Sequence, residues 1–229
     1  MKKTIWISLL GFLFITGMMA QECPLYYPDA LNSQLEYKQY DKKGKLTGSS
    51  KQKVTDFKKT ANGYEVKVAA ESFDDKGKSL GNINLTARCE NGIFFVDMKN
   101  LLGAQTLEAY KDMEMKIEGG NLEMPGNMKA GDILKNGDMK IAFSSGGMTM
   151  MNMTLAITNR KVETIENVTT PAGTFECYKI TYDAATKMMI NVKTKAAEWY
   201  SKGVGLVKSE TYSTDGKLMG SMVLEGLKK

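Results

Sequence analysis

Residues 64–93, YEVKVAAESFDDKGKSLGNINLTARCENGI, decide the fold. Tyr64, Val66, Val68 and Ala70 alternate with Glu65, Lys67 and Glu71. Successive residues of a strand point to opposite faces, so this pattern puts one face on a core and the other in water. The same alternation returns at Ile83, Leu85, Ala87 and Cys89, with Asn84, Thr86 and Arg88 between them. Asn91-Gly92 then supplies two residues that tolerate positive φ, the strongest short-range hairpin signal. Strands over 82–90 and 93–98 are therefore expected to pair.

Working outward, one spacing occurs three times. Tyr40 stands four residues before Gly44-Lys45 and eight before Gly48; Phe73 stands so before Gly77-Lys78 and Gly81; Tyr212 stands so before Gly216-Lys217 and Gly220. A hairpin loop of three to five residues needs a left-handed position where the first glycine falls. These are read as hairpins, not binding loops, because their aspartates lack the alternating spacing and closing glutamate of a calcium loop. Further strands are expected at about 139–144, 148–158, 161–168, 175–183, 188–199, 204–213 and 218–225. Two stretches break the rhythm. Residues 99–113, KNLLGAQTLEAYKDM, are rich in helix formers and are expected to form the one helix, although Gly103 weakens its first turns. Residues 119–137 hold Pro125 and five glycines and are expected to form a long loop. The expected fold is mainly β: a curved antiparallel sheet or half-barrel of about twelve short strands with one helix.

At the other end, Lys2 and Lys3 precede the uncharged run IWISLLGFLFITGMMA over 5–20. A basic start, an apolar stretch and a small residue at Ala20 describe a cleavable signal peptide over 1–20, followed by one β-rich domain over 21–229. The run is shorter than the roughly 20 residues a spanning helix needs, so the mature chain is expected to be soluble and exported, periplasmic or beyond, and not membrane-spanning. Glu22 precedes Cys23 where a lipid-attachment motif would carry Gly or Ala, which weighs against an anchored Cys23. The whole chain has 31 Lys and Arg against 26 Asp and Glu, a formal +5 that becomes +3 without Lys2 and Lys3. These charges are interleaved, not gathered on one face, which argues against nucleic acid as a partner.

Three cysteines remain beyond the leader, and the exported compartment permits oxidation. A Cys23–Cys89 disulfide is the favoured pairing, because it would tie down a terminal segment by closing a loop of about 65 residues. Three buried reduced thiols is the alternative.

The chain contains no histidine. That removes the commonest general base, triad partner and imidazole ligand, so catalytic residues, cofactors and metal sites are all expected to be absent and the protein is read as no enzyme. Asp74-Asp75 lies in an expected turn, where carboxylates are solvated, and no glycine-rich phosphate loop opens a helix. Methionine is the compositional oddity: 17 in all, four of them within Met148-Thr149-Met150-Met151-Asn152-Met153. Thioethers at this spacing could take Cu(I). Met151, Met153, Leu155 and Ile157 are more simply the apolar face of one strand, leaving Met148 and Met150 on the other. Together with Trp199, beside Tyr200, these two are the candidate lining of an apolar ligand cavity.

Thr170-Pro171-Ala172-Gly173-Thr174-Phe175 and Trp199-Tyr200-Ser201-Lys202-Gly203-Val204-Gly205 carry a family resemblance. The mature chain resembles the TapB-type exported proteins of Bacteroidetes, and a broader bacterial group of unknown function with a T-P-A-G-T-F strand and a W-Y-x-x-G-V-G turn. The resemblance implies a curved antiparallel sheet, similar to periplasmic lipoprotein carriers whose half-barrel shelters acyl chains. It transfers no catalytic residue, and fold alone does not carry function. The leading expectation is a non-catalytic envelope protein that binds a lipid-like or apolar small molecule. The alternative is a structural protein that recruits an envelope partner through a sheet edge or the 119–137 loop. Oligomeric state is left open.

Overall fold

The computed structural model describes residues 23–102, 109, 110 and 112–229. Five strands open the chain: β1 (Gln34–Asp41), β2 (Leu46–Thr60), β3 (Gly63–Asp74), β4 (Ser79–Glu90) and β5 (Ile93–Asp97). Two short strands follow, β6 (Glu114–Gly119) and β7 (Asn121–Pro125). Six more complete it: β8 (Gly137–Ser145), β9 (Met148–Thr170), β10 (Gly173–Lys187), β11 (Asn191–Ser201), β12 (Gly205–Tyr212) and β13 (Leu218–Lys228). All thirteen form one sheet in the order β6-β8-β9-β10-β11-β12-β13-β1-β2-β3-β4-β5-β7, every neighbour antiparallel.

That order dictates the shape. Strands β6 and β7 stand at opposite ends of the sheet, yet only Gly120 separates them in the chain. Two peptide steps of about 3.8 Å each cannot span a flat thirteen-stranded sheet, so the sheet must curl until its edges meet. The result is a nearly closed barrel. At the seam the Met98 amide donates to the Gly120 carbonyl over 2.7 Å.

The hairpins form where the alternation places them. Asn91 and Gly92 take φ of 52° and 78° between β4 and β5. In the repeated loops the residue after the aromatic closes the turn. Asp41 Oδ1 accepts from the amides of Lys43 and Lys45, and Asp74 Oδ1 from those of Lys76 and Lys78, while Ser213 Oγ accepts from Lys217. These amides hold the Asp41 and Asp74 carboxyls below their ordinary range.

Two features differ from the sequence reading, and a third is described only in part. The break expected at 159–160 is a bulge within the 23-residue strand β9, where Asn159 adopts φ 54° and the register against β10 shifts. The 119–137 loop begins with a strand, because Leu122 and Met124 alternate inward along β7 and the strand ends at Pro125. Of the helix expected over 99–113, residues 103–108 and Lys111 lie outside the described residues; around them Met98–Leu101 form a 3-10 turn capped by the Asp97 side chain, and Ala109 is helical. Among the described residues no helix is long and apolar enough to cross a membrane.

Candidate functional site: a tyrosine-lined cavity

Residues 23–27 run as a strap into the curl of the sheet. Its end is joined to β4 by a disulfide between Cys23 and Cys89, with Cα atoms 5.7 Å apart, while Cys177 is free and buried. Tyr64 donates its hydroxyl to the Pro24 carbonyl, and the Gly203 amide donates to the Leu25 carbonyl. Gly205 sits at φ 106° with the Tyr26 carbonyl where a Cβ would stand, 2.7 Å away, so this approach is open only to glycine. The W-Y-x-x-G-V-G turn is thus the clamp that holds the strap.

The strap delivers Tyr26 to the centre of an aromatic cluster. Its ring meets those of Phe94, Tyr200 and Tyr178 edge-on, at centroid distances of 5.3, 6.1 and 6.3 Å. Beside this cluster lies a cavity of about 280 Å³, lined by the strap and by β1, β2, β4, β5, β11, β12, β13 and the 3-10 turn. Strands so far apart in the sheet order can share a cavity only inside the curl. Tyr26, Tyr27, Tyr37, Tyr200 and Phe94 supply its aromatic wall, and Leu101, more than a third exposed, lies on the 3-10 turn at its rim.

Among the described residues, Glu198 is the one charged side chain in the lining. Its Oε1 accepts from the Tyr182 hydroxyl at 2.7 Å and its Oε2 from the Tyr200 hydroxyl at 2.9 Å. Burial raises the Glu198 pKa, and the two hydroxyls and the positive charge of Arg160 offset part of the rise. Arg160 is itself buried and donates through Nη1 to the carbonyls of Glu123 and Lys135, pegging β9 to the opposite edge strand β7. The bulge at Asn159 aims it there. Burial pushes the Tyr27 hydroxyl up to about 12. Two buried polar atoms of the lining, Tyr26 Oη and Gln52 Oε1, have no hydrogen-bond partner among the described residues. Unpaired buried polar atoms are rare, because each forfeits its hydration without return.

The expected lining residues do not come together here. Met148 and Met150 are 69% and 63% exposed at the start of β9, and neither lines the cavity. Trp199 is buried but not in the lining: the flanking residues Glu198 and Tyr200 face the cavity, so strand alternation turns Trp199 away. There its Nε1 donates to Glu166 and its ring is flanked by the ammonium groups of Lys179 and Lys208. Three buried methionines, Met98, Met139 and Met153, pack with Leu122, Ile141, Phe143, Leu155 and Ile157 into an apolar core, and two more, Met124 and Met128, into the cluster around Tyr26. The strap tyrosines and Gln52 were missed because nothing local marks them. Glu198 had a signal, a carboxylate in register with Tyr200 along β11.

A search of curated proteins finds no match to this chain. Two solved structures resemble it closely. One is described as an exported protein with a YmcC-like fold from Bacteroides fragilis, with 27% identity and a TM-score of 0.75 over 90% of this chain and all of that one. The other is described as a lipoprotein from Parabacteroides distasonis, with 28% identity and a TM-score of 0.78 over 91% of this chain and all of that one. The DUF3108-like family model matches residues 32–224, from just before β1 into β13, and this chain therefore belongs to the DUF3108-like family.

Proposed function

We propose that this protein is an exported, non-catalytic binding protein of the cell envelope that holds a small lipid-like or apolar ligand in its tyrosine-lined cavity. Export is supported by the leader-like residues 1–20 and by relatives described as exported or as a lipoprotein. The signatures at 170–175 and 199–205 support a closer kinship with TapB-type exported proteins.

The observation that carries the reading is the cavity itself, framed by side chains from nine separate elements. At about 30 Å³ per water-sized group, 280 Å³ holds roughly nine or ten non-hydrogen atoms, near the lower end of ligand pockets. The buried part of a ligand is thus a short chain or a single ring, not a whole diacyl lipid. A non-catalytic role is supported by the absence of histidine and by the two tyrosine hydroxyls that hold Glu198 in place.

Native mass spectrometry of the protein exported by its own host, followed by organic extraction, tests this. A co-purifying apolar or amphiphilic molecule is expected. A clean unliganded mass that stays unchanged after incubation with short-chain amphiphiles and envelope lipids would sink the proposal.

A further inference from the structure

The cavity wall is not uniformly apolar: it carries a carboxylate and an orphaned amide oxygen. Gln52 Oε1 is an acceptor without a donor, and Glu198 carries two oxygens that each take one tyrosine hydroxyl. A carboxylate has about four acceptor positions, so two remain. Around them stand four tyrosines and Phe94, whose ring faces are electron-rich and attract cations. The cluster already engages one ammonium: Lys202 Nζ lies 5.6 Å from the centroid of Tyr178, whose ring meets Tyr26.

We infer that the cavity is a receptor site for a small protonated amine, its ammonium set against Glu198 and Gln52 Oε1 and its apolar part among the tyrosines. The inference rests on the binding reading above and names the ligand's class. An ammonium brings three donors, an alcohol one, and a carboxylate none, so only the amine satisfies both the orphaned acceptor and the spare carboxylate positions. Tyr26 Oη can rotate its proton to meet either partner. The groups facing Glu198 are Tyr182 from β10, Tyr200 from β11 and Arg160 from β9, with Tyr27 of the strap against Tyr200. Arg160 opposes a cation, but its Nη1 is turned to the Glu123 and Lys135 carbonyls.

Titration calorimetry of the full exported chain with hexylammonium, 1-hexanol and hexanoate separates the outcomes. Hexylammonium is expected to bind roughly tenfold or more tighter than hexanol. Because burial raises the Glu198 titration, its affinity should also climb with pH as Glu198 ionises, while the amine stays charged below about pH 10. E198Q should abolish the preference for hexylammonium over hexanol and the pH dependence. The wild-type pH profile stands by itself should that variant fail to fold. Hexanol or hexanoate binding as tightly as the amine would overturn the amine inference and leave the apolar receptor standing. Binding of none of the three would overturn both.

Discussion

One sheet encloses two interiors of different kinds. Toward the seam, β7, β8 and β9 pack methionine, leucine, isoleucine and phenylalanine into an apolar cluster, with Tyr110 and Tyr182 against it. Across the barrel, where the strap enters, tyrosines, Gln52 and Glu198 surround open space. Flexible thioethers adapt to irregular gaps and fill them. Tyrosine rings are rigid, and each carries a hydroxyl that must find a partner, so a cluster of them leaves a shaped void. Methionine, which draws attention in the sequence, gives the seam cluster three buried side chains, but Met124 and Met128 are buried around Tyr26 and Met222 lines the cavity; what sets the hollow half apart is its tyrosines, scattered between positions 26 and 200.

The largest effect should come from the solid half. Phe143, 2% exposed, packs against Tyr110 at 4.6 Å between ring centroids. Phe143→Ala should cost about 3–5 kcal/mol in urea denaturation, since the tight surroundings cannot collapse. Leu85→Ala, at the wall of the existing cavity, should fall near the lower end of the range for buried leucine, about 2 kcal/mol. Equal costs at the two sites would mean that the cavity wall is packed as tightly as the methionine core.

Next is the staple. The Cys23–Cys89 bridge spans 66 residues, and replacing both cysteines with serine should cost roughly 2–4 kcal/mol. The loss should be accompanied by weaker ligand binding, because the bridge anchors the strap that carries Tyr26 and Tyr27. A variant that loses stability but binds unchanged would show that the Gly203–Gly205 clamp alone positions the strap.

A smaller effect distinguishes the hollow half by pH. The folded state holds the Glu198 proton to higher pH than the unfolded chain, whose glutamates titrate near about 4.3. Between those two values the folded state binds more protons, so stability contributed by neutral Glu198 is lost as pH rises through its folded titration. Glu198→Gln should flatten that slope in melting temperatures taken from pH 4 to 8. An unchanged slope would place the pH dependence elsewhere.

How much of this was legible in the sequence follows from what is local. Alternation along 64–70 and 83–89 fixes two strands and their buried faces, and Asn91-Gly92 fixes their neighbour, because a strand's faces and a tight turn are set within a few residues. The repeated loops were readable as hairpins for the same reason, although the closing role of Asp41 and Asp74 shows only in the hydrogen bonds. Barrel closure depends on β6 and β7 bracketing Gly120 at opposite edges, a fact of long-range pairing that no window contains. The cavity is less local still: Tyr26, Gln52, Phe94 and Glu198 come from four distant elements. Trp199-Tyr200 shows how adjacency misleads, since neighbours on a strand face opposite ways.

The smallest expected effect tests the division among the methionines themselves. Met151 and Met153 were read as facing the core and Met148 and Met150 as facing away; in the structure Met153 is buried while Met148 and Met150 stand well exposed near the rim, with Met189 at 89% in the next hairpin turn. Met150→Ser should therefore change stability by less than about 0.5 kcal/mol, as surface substitutions generally do. Oxidation reads the same contrast without mutation. Mild peroxide converts accessible thioethers to sulfoxides, so peptide mapping should show Met148, Met150 and Met189 modified first while Met98 and Met139, both essentially inaccessible, stay reduced. The fold should survive that first stage, and unfolding should begin only when oxidation reaches Met98 or Met139. Early oxidation of those two in a still-folded protein would mean that the methionine half opens to solvent, and that the contrast between a solid and a hollow interior is one of average position only.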